Sequence, residues 1–259
     1  MPLRTCSATM IKRSEVLFST IIVLVMLLIG IWISSGISEL SSQTAEMYNT
    51  ATVISDEDQF RYGMDTSFGN ALVYGSVGSD SLVTFDEIGN GYIHIEKVRE
   101  EYTRHTRTVT KTGRNGKKYT VTEVYYTWDY DGMQSRSVEN IYFLGVKFEY
   151  GLIGLPVYPL DLDAAGVRNH RSNYIYVSSD ARYYYRVTPN NLTGTVFATL
   201  KDKSIERPSD LYANMTPKEV IQSKQNSEAI ALVIFWAIWI GMIVLIVYKF
   251  VKARNYWLD

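Results

Sequence analysis

Three histidines, one cysteine and scattered carboxylates are the residues of this chain suited to acid–base, nucleophilic or metal chemistry. A zinc site wants three or four His, Cys or carboxylate ligands at set spacings. His94, His105 and His170 lie far apart, and no HExxH or CxxC pattern occurs. In an extended chain His94 points away from its neighbours Ile93 and Ile95. His105 sits among charges and His170 in a polar loop, so all three read as ordinary polar residues. A serine nucleophile needs a strained elbow and a base. Gly75-Ser76-Val77-Gly78 lacks that spacing and reads as part of a strand turn. The run from Asp161 to Gly166 opens like a calcium loop, but Ala165 takes a ligand position and Ser172 stands where the closing glutamate belongs. Asp129 and Asp131 are a carboxylate pair of the kind sugar hydrolysis uses, if a cleft sets them apart. These patterns point to no enzyme, no cofactor and no metal.

The strongest surface feature is basic. Arg104, Arg107, Lys111, Arg114, Lys117 and Lys118 fall within fifteen positions, with Glu123 the acid nearby. A basic, aromatic-edged ribbon can grip anionic lipid head groups or an anionic envelope polymer. The competing reading is an exposed strand that carries Lys and Arg to block edge pairing.

The element that holds the cluster is legible. Residues 102–112 and 118–128 are rich in Thr, Val and Tyr, with Gly-Arg-Asn-Gly-Lys between them. Asn-Gly accepts positive φ at both turn positions, so the spacing predicts a long β-hairpin with a tight primed turn. Val124, Tyr126 and Trp128 share one face of the second arm, and Tyr119, Val121 and Tyr125 the other. The expectation is a base buried on both faces and a projecting tip, with Trp128, Tyr126, Phe143 and Val146 in the core. Further strands are expected at 71–77, 81–85, 91–97, 141–150, 174–178, 181–187 and 193–200 from their period-two patterning.

Two uncharged apolar runs flank this region, at 16–33 and 229–248. Each is near the ~20 residues that cross ~30 Å of hydrocarbon as a helix. The organisation read from the sequence is a tail (1–15), a first transmembrane helix (16–36) and a stalk or short helix (37–66). A β-rich domain (67–210), all-β or α+β, follows. A helix (216–228) then leads into a second transmembrane helix (229–248) and a tail (249–259). Thr216-Pro217-Lys218-Glu219 is a helix-start pattern. The first run is longer than a signal-peptide core and no A-x-A site follows, so it reads as a retained anchor.

Charge sets the orientation. Six of the 26 basic residues and two of the 27 acidic ones lie in the tails, leaving 20 and 25 between them. The positive-inside rule then puts both termini in the cytoplasm and the middle on the extracytoplasmic or luminal side. A mildly acidic domain there is no nucleic-acid binder. Cys6, the single cysteine, lies in the first tail, so the domain folds without a disulfide. Asn191-Leu192-Thr193 and Asn214-Met215-Thr216 are glycosylation triplets only in a glycosylating host.

Gly69, Val73, Gly75 and Val77 lead to an aromatic-acidic hairpin, Glu101-Tyr102 to Tyr125-Tyr126-Thr127-Trp128, with a charged turn. This resembles the membrane-flanked domain of LUMA-type envelope proteins and, more loosely, the beside-a-membrane domain of GIDE-type proteins. Residues 182–200, followed by a short helix entering a span, also resemble the LUMA-type ending. That pattern ends in several spans and this chain in one. The GIDE-type RING finger has no counterpart here, so ligase activity does not carry over. The resemblance implies a scaffold or partner-binding role beside a bilayer. The partners expected for the chain are the bilayer itself, a protein partner or a second copy, and an anionic lipid or envelope polymer. The alternatives are a membrane-tethered hydrolase of envelope polymers, or an exclusion or sensor protein of a phage or mobile element.

Overall fold

Strand-forming residues in the middle of the chain and helix-forming apolar runs outside it separate completely in the computed structural model, which describes residues 13–206 and 209–255. Arg4, Cys6, Lys12 and Asp259 lie outside the described residues. In chain order the elements are α1 (Arg13–Thr50), β1 (Thr52–Ile54), α2 (Glu57–Asp65), β2 (Gly69–Gly78) and β3 (His94–Thr112). Next come β4 (Lys118–Ser137), β5 (Asn140–Phe143), β6 (Val146–Glu149), β7 (Ile153–Gly154), β8 (Tyr158–Pro159) and β9 (Ile175–Tyr176). The series closes with β10 (Ala181–Thr188), β11 (Leu192–Lys201), β12 (Ser204–Ile205), β13 (Ser209–Ala213) and α3 (Pro217–Asn255). The chain divides into a helical unit, residues 1–50 with 218–259, and a β-rich unit, 51–217.

In the helical unit, α1 and α3 have 38 and 39 residues. At 1.5 Å per residue each is ~57 Å long, well beyond the ~30 Å of a bilayer core. Both are long and apolar enough to cross a membrane. They pack antiparallel: the Trp239 indole donates to the Met26 carbonyl at 3.0 Å, and the Gln225 amide donates to Asn49 Oδ1 at 3.2 Å. Gly30 makes the first contact possible, since a Cβ there would lie 2.5 Å from Trp239 Nε1. The stretch read as a stalk is the end of α1, then β1 and α2. The helix expected before the second run is continuous with it in α3.

The β-rich unit holds two sheets. The larger runs β6-β5-β2-β11-β13-β7, with β1 beside β2 and β12 beside β11. Its core gathers Phe60 and Met64 of α2 with Val73, Ile141, Phe143, Val196 and Leu200. Asp56 caps α2 by accepting from the Gln59 N–H at 3.1 Å, so Phe60 is delivered on a fixed turn. The smaller sheet runs β4-β3-β10-β8, with β9 beside β10. It rests on Phe85, Ile88, Tyr92, Ile95, Leu160, Leu162, Tyr185 and Val187.

Several expectations are corrected. Residues 141–150 form two short strands, β5 and β6, because Leu144 and Gly145 both take positive φ and turn the chain. Residues 81–85 make only a bridge, Val83 to Tyr92. The β3–β4 connection is not a primed turn: Gly116 N–H donates to the Gly113 carbonyl at 3.0 Å, and Gly113 N–H to the Lys117 carbonyl at 2.8 Å. Only Gly116 has positive φ, which is the three-residue loop of a type I turn plus a left-handed glycine. Phe143 and Val146 are buried as expected. Tyr126 is 51% exposed and Trp128 half-buried, because past Glu101 no third strand pairs with this part of the ribbon among the described residues.

Candidate functional site

Register decides what becomes of the six basic residues. β3 and β4 pair antiparallel from His94–Ser137 to Thr112–Lys118, with one irregularity at Arg99/Glu100. The extra residue there is Asp131, followed by Gly132 at φ +139, where other residues are strained. Since side chains alternate in a strand, directly opposed residues share a face. Arg107 and Lys111 fall on one face, opposite Glu123 and Tyr119, while Arg104 and Lys118 fall on the other, opposite Tyr126 and Thr112. Arg114 and Lys117 occupy the turn. The contiguous cluster of the sequence is therefore three groups in space.

Glu123 takes two of the cations. It lies 3.0 Å from Arg107 Nη2 and 2.8 Å from Lys111 Nζ. Lys111 and then Arg107 hold its carboxyl below the usual range. Arg104, Arg114, Lys117 and Lys118 have no carboxylate partner among the described residues.

On the Glu123 face, further down the ribbon, Asp129 accepts from Thr103 and from Thr127 Oγ1 at 2.7 Å, with His105 Nε2 at 2.5 Å. Thr103, Thr127 and then His105 pull its pKa from 3.8 to about 2. The hydroxyl of Thr103 and the carboxylate of Asp129 both meet the same ring nitrogen of His105. A nucleophile–base–acid relay needs one partner on each nitrogen, so this cluster pins the ribbon rather than activating Thr103. Asp131 has its own partner, Arg99, at 2.9 Å.

The opposite face is aromatic. Tyr102 stacks on Tyr126 at 5.3 Å and tilts against Trp128 at 5.1 Å. Trp128 meets the edge of Tyr176 at 5.8 Å, and the Arg182 guanidinium lies 4.2 Å above its ring. Arg182 also covers Tyr174 and grips Glu100 through Nε and Nη2 at 2.7 and 2.6 Å. Arg182 thereby closes one end of an aromatic strip whose other end, Tyr126 with Arg104, is exposed.

No protein-family model, curated protein or solved structure matches this chain.

One constellation was missed from the sequence. Across the first rung of the ribbon, His94 Nδ1 lies 2.8 Å from Ser137 Oγ and His94 Nε2 lies 3.3 Å from Glu96 Oε1. The ring is buried and stacks on Tyr150 at 5.7 Å. Here the two nitrogens do have separate partners. The nearby Val138 N–H, however, is spent on the Ile93 carbonyl at 3.0 Å and so is not a free donor for an oxyanion. Glu96 Oε2 sits 3.3 Å from Arg186 without hydrogen-bond geometry. The sequence carried only half of the signal: His94 and Glu96 are two apart on one face, but Ser137 joins them through register. His170 lies 3.2 Å from Asp163. No group of three or more metal-ligating side chains occurs among the described residues.

Proposed function

We propose that this chain is an integral membrane protein, anchored by α1 and α3, whose β-rich domain is a binding and scaffolding module on the extracytoplasmic side. Its partner is an anionic surface, lipid head groups or envelope polymer, met by the end of the β3–β4 ribbon. The observation that carries the reading is the set of cations left without carboxylates: Arg104, Arg114, Lys117 and Lys118. All four lie at the turn or on the aromatic face, whereas Arg107 and Lys111 share the single carboxylate of Glu123. Anchoring is supported by the outward apolar side chains of both helices. Trp32 is 77% exposed and Val233 69%, a surface that water disfavours and lipid accepts. The basic tails support cytoplasmic termini. A hydrolase has weaker support, since the Val138 N–H beside its best constellation is already spent on the Ile93 carbonyl.

Flotation of the full chain, held in neutral-lipid nanodiscs, with phosphatidylglycerol vesicles tests the contact. Replacing Arg104, Arg114, Lys117 and Lys118 with Gln abolishes binding at low salt. Replacing Arg107, Lys111 and Glu123 together with Gln, a net loss of one positive charge against four, weakens it far less. Exposed charges are screened beyond a Debye length of ~8 Å at physiological salt, so all variants converge at high salt. Equal loss in both variants, or no salt dependence, overturns the reading. For topology, a membrane-impermeant thiol reagent labels Ser135→Cys in intact cells but not Cys6; the reverse pattern refutes the orientation.

A further inference from the structure

The outer side of β4 carries an inference independent of the anionic partner. β4 is the terminal strand of its sheet over all 20 residues, and among the described residues it pairs only with β3. The phase of the ladder shows which backbone groups are free. Gly113 N–H donates to the Lys117 carbonyl, so odd-numbered residues form the hydrogen-bonded rungs outward of the irregularity. Tyr102 N–H, an even position of β3, donates away from β4 to the Asp180 carbonyl at 2.8 Å, which agrees. Even positions of β4 from Lys118 to Tyr130 therefore turn their N–H and C=O groups to the open side.

Natural edge strands are blunted by lysines, prolines or bulges. The two edges of this ribbon differ. The free stretch of β3, residues 103–112, carries Arg104, Arg107 and Lys111. Between Lys118 and Tyr130, β4 carries one cation, Lys118, at its very end, and no proline or glycine. Its exposed side chains include Tyr119, Val124, Tyr125, Tyr126 and Tyr130. The Asp131–Gly132 bulge ends the regular ladder.

We propose that this edge pairs antiparallel with the same edge of a second copy of the chain, about a two-fold axis at Val124. Val124 is the midpoint of the regular stretch, so this register uses all of it. It sets Val124 opposite Val124, Thr122 opposite Tyr126, Thr120 opposite Trp128 and Lys118 opposite Tyr130. On the other face Glu123 meets Tyr125, Val121 meets Thr127 and Tyr119 meets Asp129. No like charges are opposed, and β-branched residues meet aromatic ones, the favourable cross-strand pairing. Lys118 gains a tyrosine ring. Moving the axis by one residue to Glu123 would instead oppose two glutamates. The ladder adds about fourteen backbone hydrogen bonds, two for each even-numbered rung.

Because Val124 would face its own copy, one position reports the register. Differently tagged full-length chains are mixed in detergent micelles and co-purified, with sedimentation giving the affinity. The parent self-associates. Val124→Lys and Val124→Asp, each alone, self-associate roughly tenfold or more weakly, because like charges are opposed. Mixing the two restores the parent affinity within about threefold, on the same principle. Thr108→Lys, one strand in from the edge, leaves association unchanged. Far-UV circular dichroism matching the parent shows that the variants are folded. A monomeric parent at ~100 μM, far above the micromolar range of ordinary association, overturns the proposal. So does parent-like association of Val124→Lys, or a mixture no tighter than either variant alone.

Discussion

His94–Glu101 and Tyr102–Thr112 are consecutive halves of one strand, and they obey different physics. The first half lies between β4 and β10 and sends Ile95 into the smaller core, with Val98 also buried. The second half pairs only with β4 among the named strands, and no residue from Tyr102 to Ser137 is buried. Burial of a side chain such as Ile95 is worth ~1.5–3 kcal/mol. A cross-strand pair on an exposed ribbon is worth ~0.2–1 kcal/mol. The inner half is held by its core. The outer half is held by rungs and by local ties such as Arg107 and Lys111 with Glu123. A strand of one composition class can thus be structural at one end and available for contact at the other.

The largest expected effect tests the inner half. Ile95→Ala removes a fully buried side chain and should cost ~2–5 kcal/mol in denaturant unfolding of the full chain in detergent. Val109→Ala, in the outer half, should stay within ~1 kcal/mol. Equal costs would mean that the two halves do not differ. An intermediate effect marks the junction. Trp128→Ala strips the ring from beneath Arg182 and beside Tyr102, and should cost ~1–3 kcal/mol from lost aromatic and cation–π contact. Tyr126→Ala, one rung pair further out, should cost under ~1 kcal/mol. A Tyr126→Ala cost matching that of Ile95→Ala would reveal a core in the outer half.

The smallest effect concerns pH. Asp129 has a folded pKa of about 2 against an ordinary 3.8, held down chiefly by Thr103 and Thr127 and then by His105. A depressed folded pKa stabilises above the unfolded value and loses that contribution as pH falls through the folded one. The rungs around Thr103 and Thr127 should therefore loosen between about pH 4 and pH 2. NMR titration of the Asp129 carboxyl with amide exchange at Thr103 and Thr127 measures this. A midpoint near 4, or unchanged exchange in Asp129→Asn, would remove the tie.

Much of the frame was legible because it depends on short-range patterning. Alternation in 71–77 and 193–200 marked β2 and β11, and Thr/Val/Tyr-rich arms either side of a glycine turn marked β3 and β4. The failures share a cause. Leu144 and Gly145 interrupt what reads as one strand, because a two-residue turn leaves apolar periodicity nearly intact. Tyr126 was expected in the core because an aromatic on a strand usually has a sheet face to pack on, and whether one is there depends on where β10 stops. The six basic residues read as one patch because sequence distance hides alternation. Glu123, sixteen positions from Arg107 and twelve from Lys111 in the chain, joins them only through the turn.

The sequence by itself determined the two apolar helices, the strand-rich middle, the ribbon and the absence of disulfide chemistry from that middle, since length, composition and period are local properties. Only the tertiary structure decided which cations lack a carboxylate partner, which end of β3 has a core, how Ser137 meets His94, and that the outer side of β4 is left unpaired among the described residues. Those follow from register and from where neighbouring strands end. Both are set by contacts between residues distant in the chain, whose energies no local pattern records.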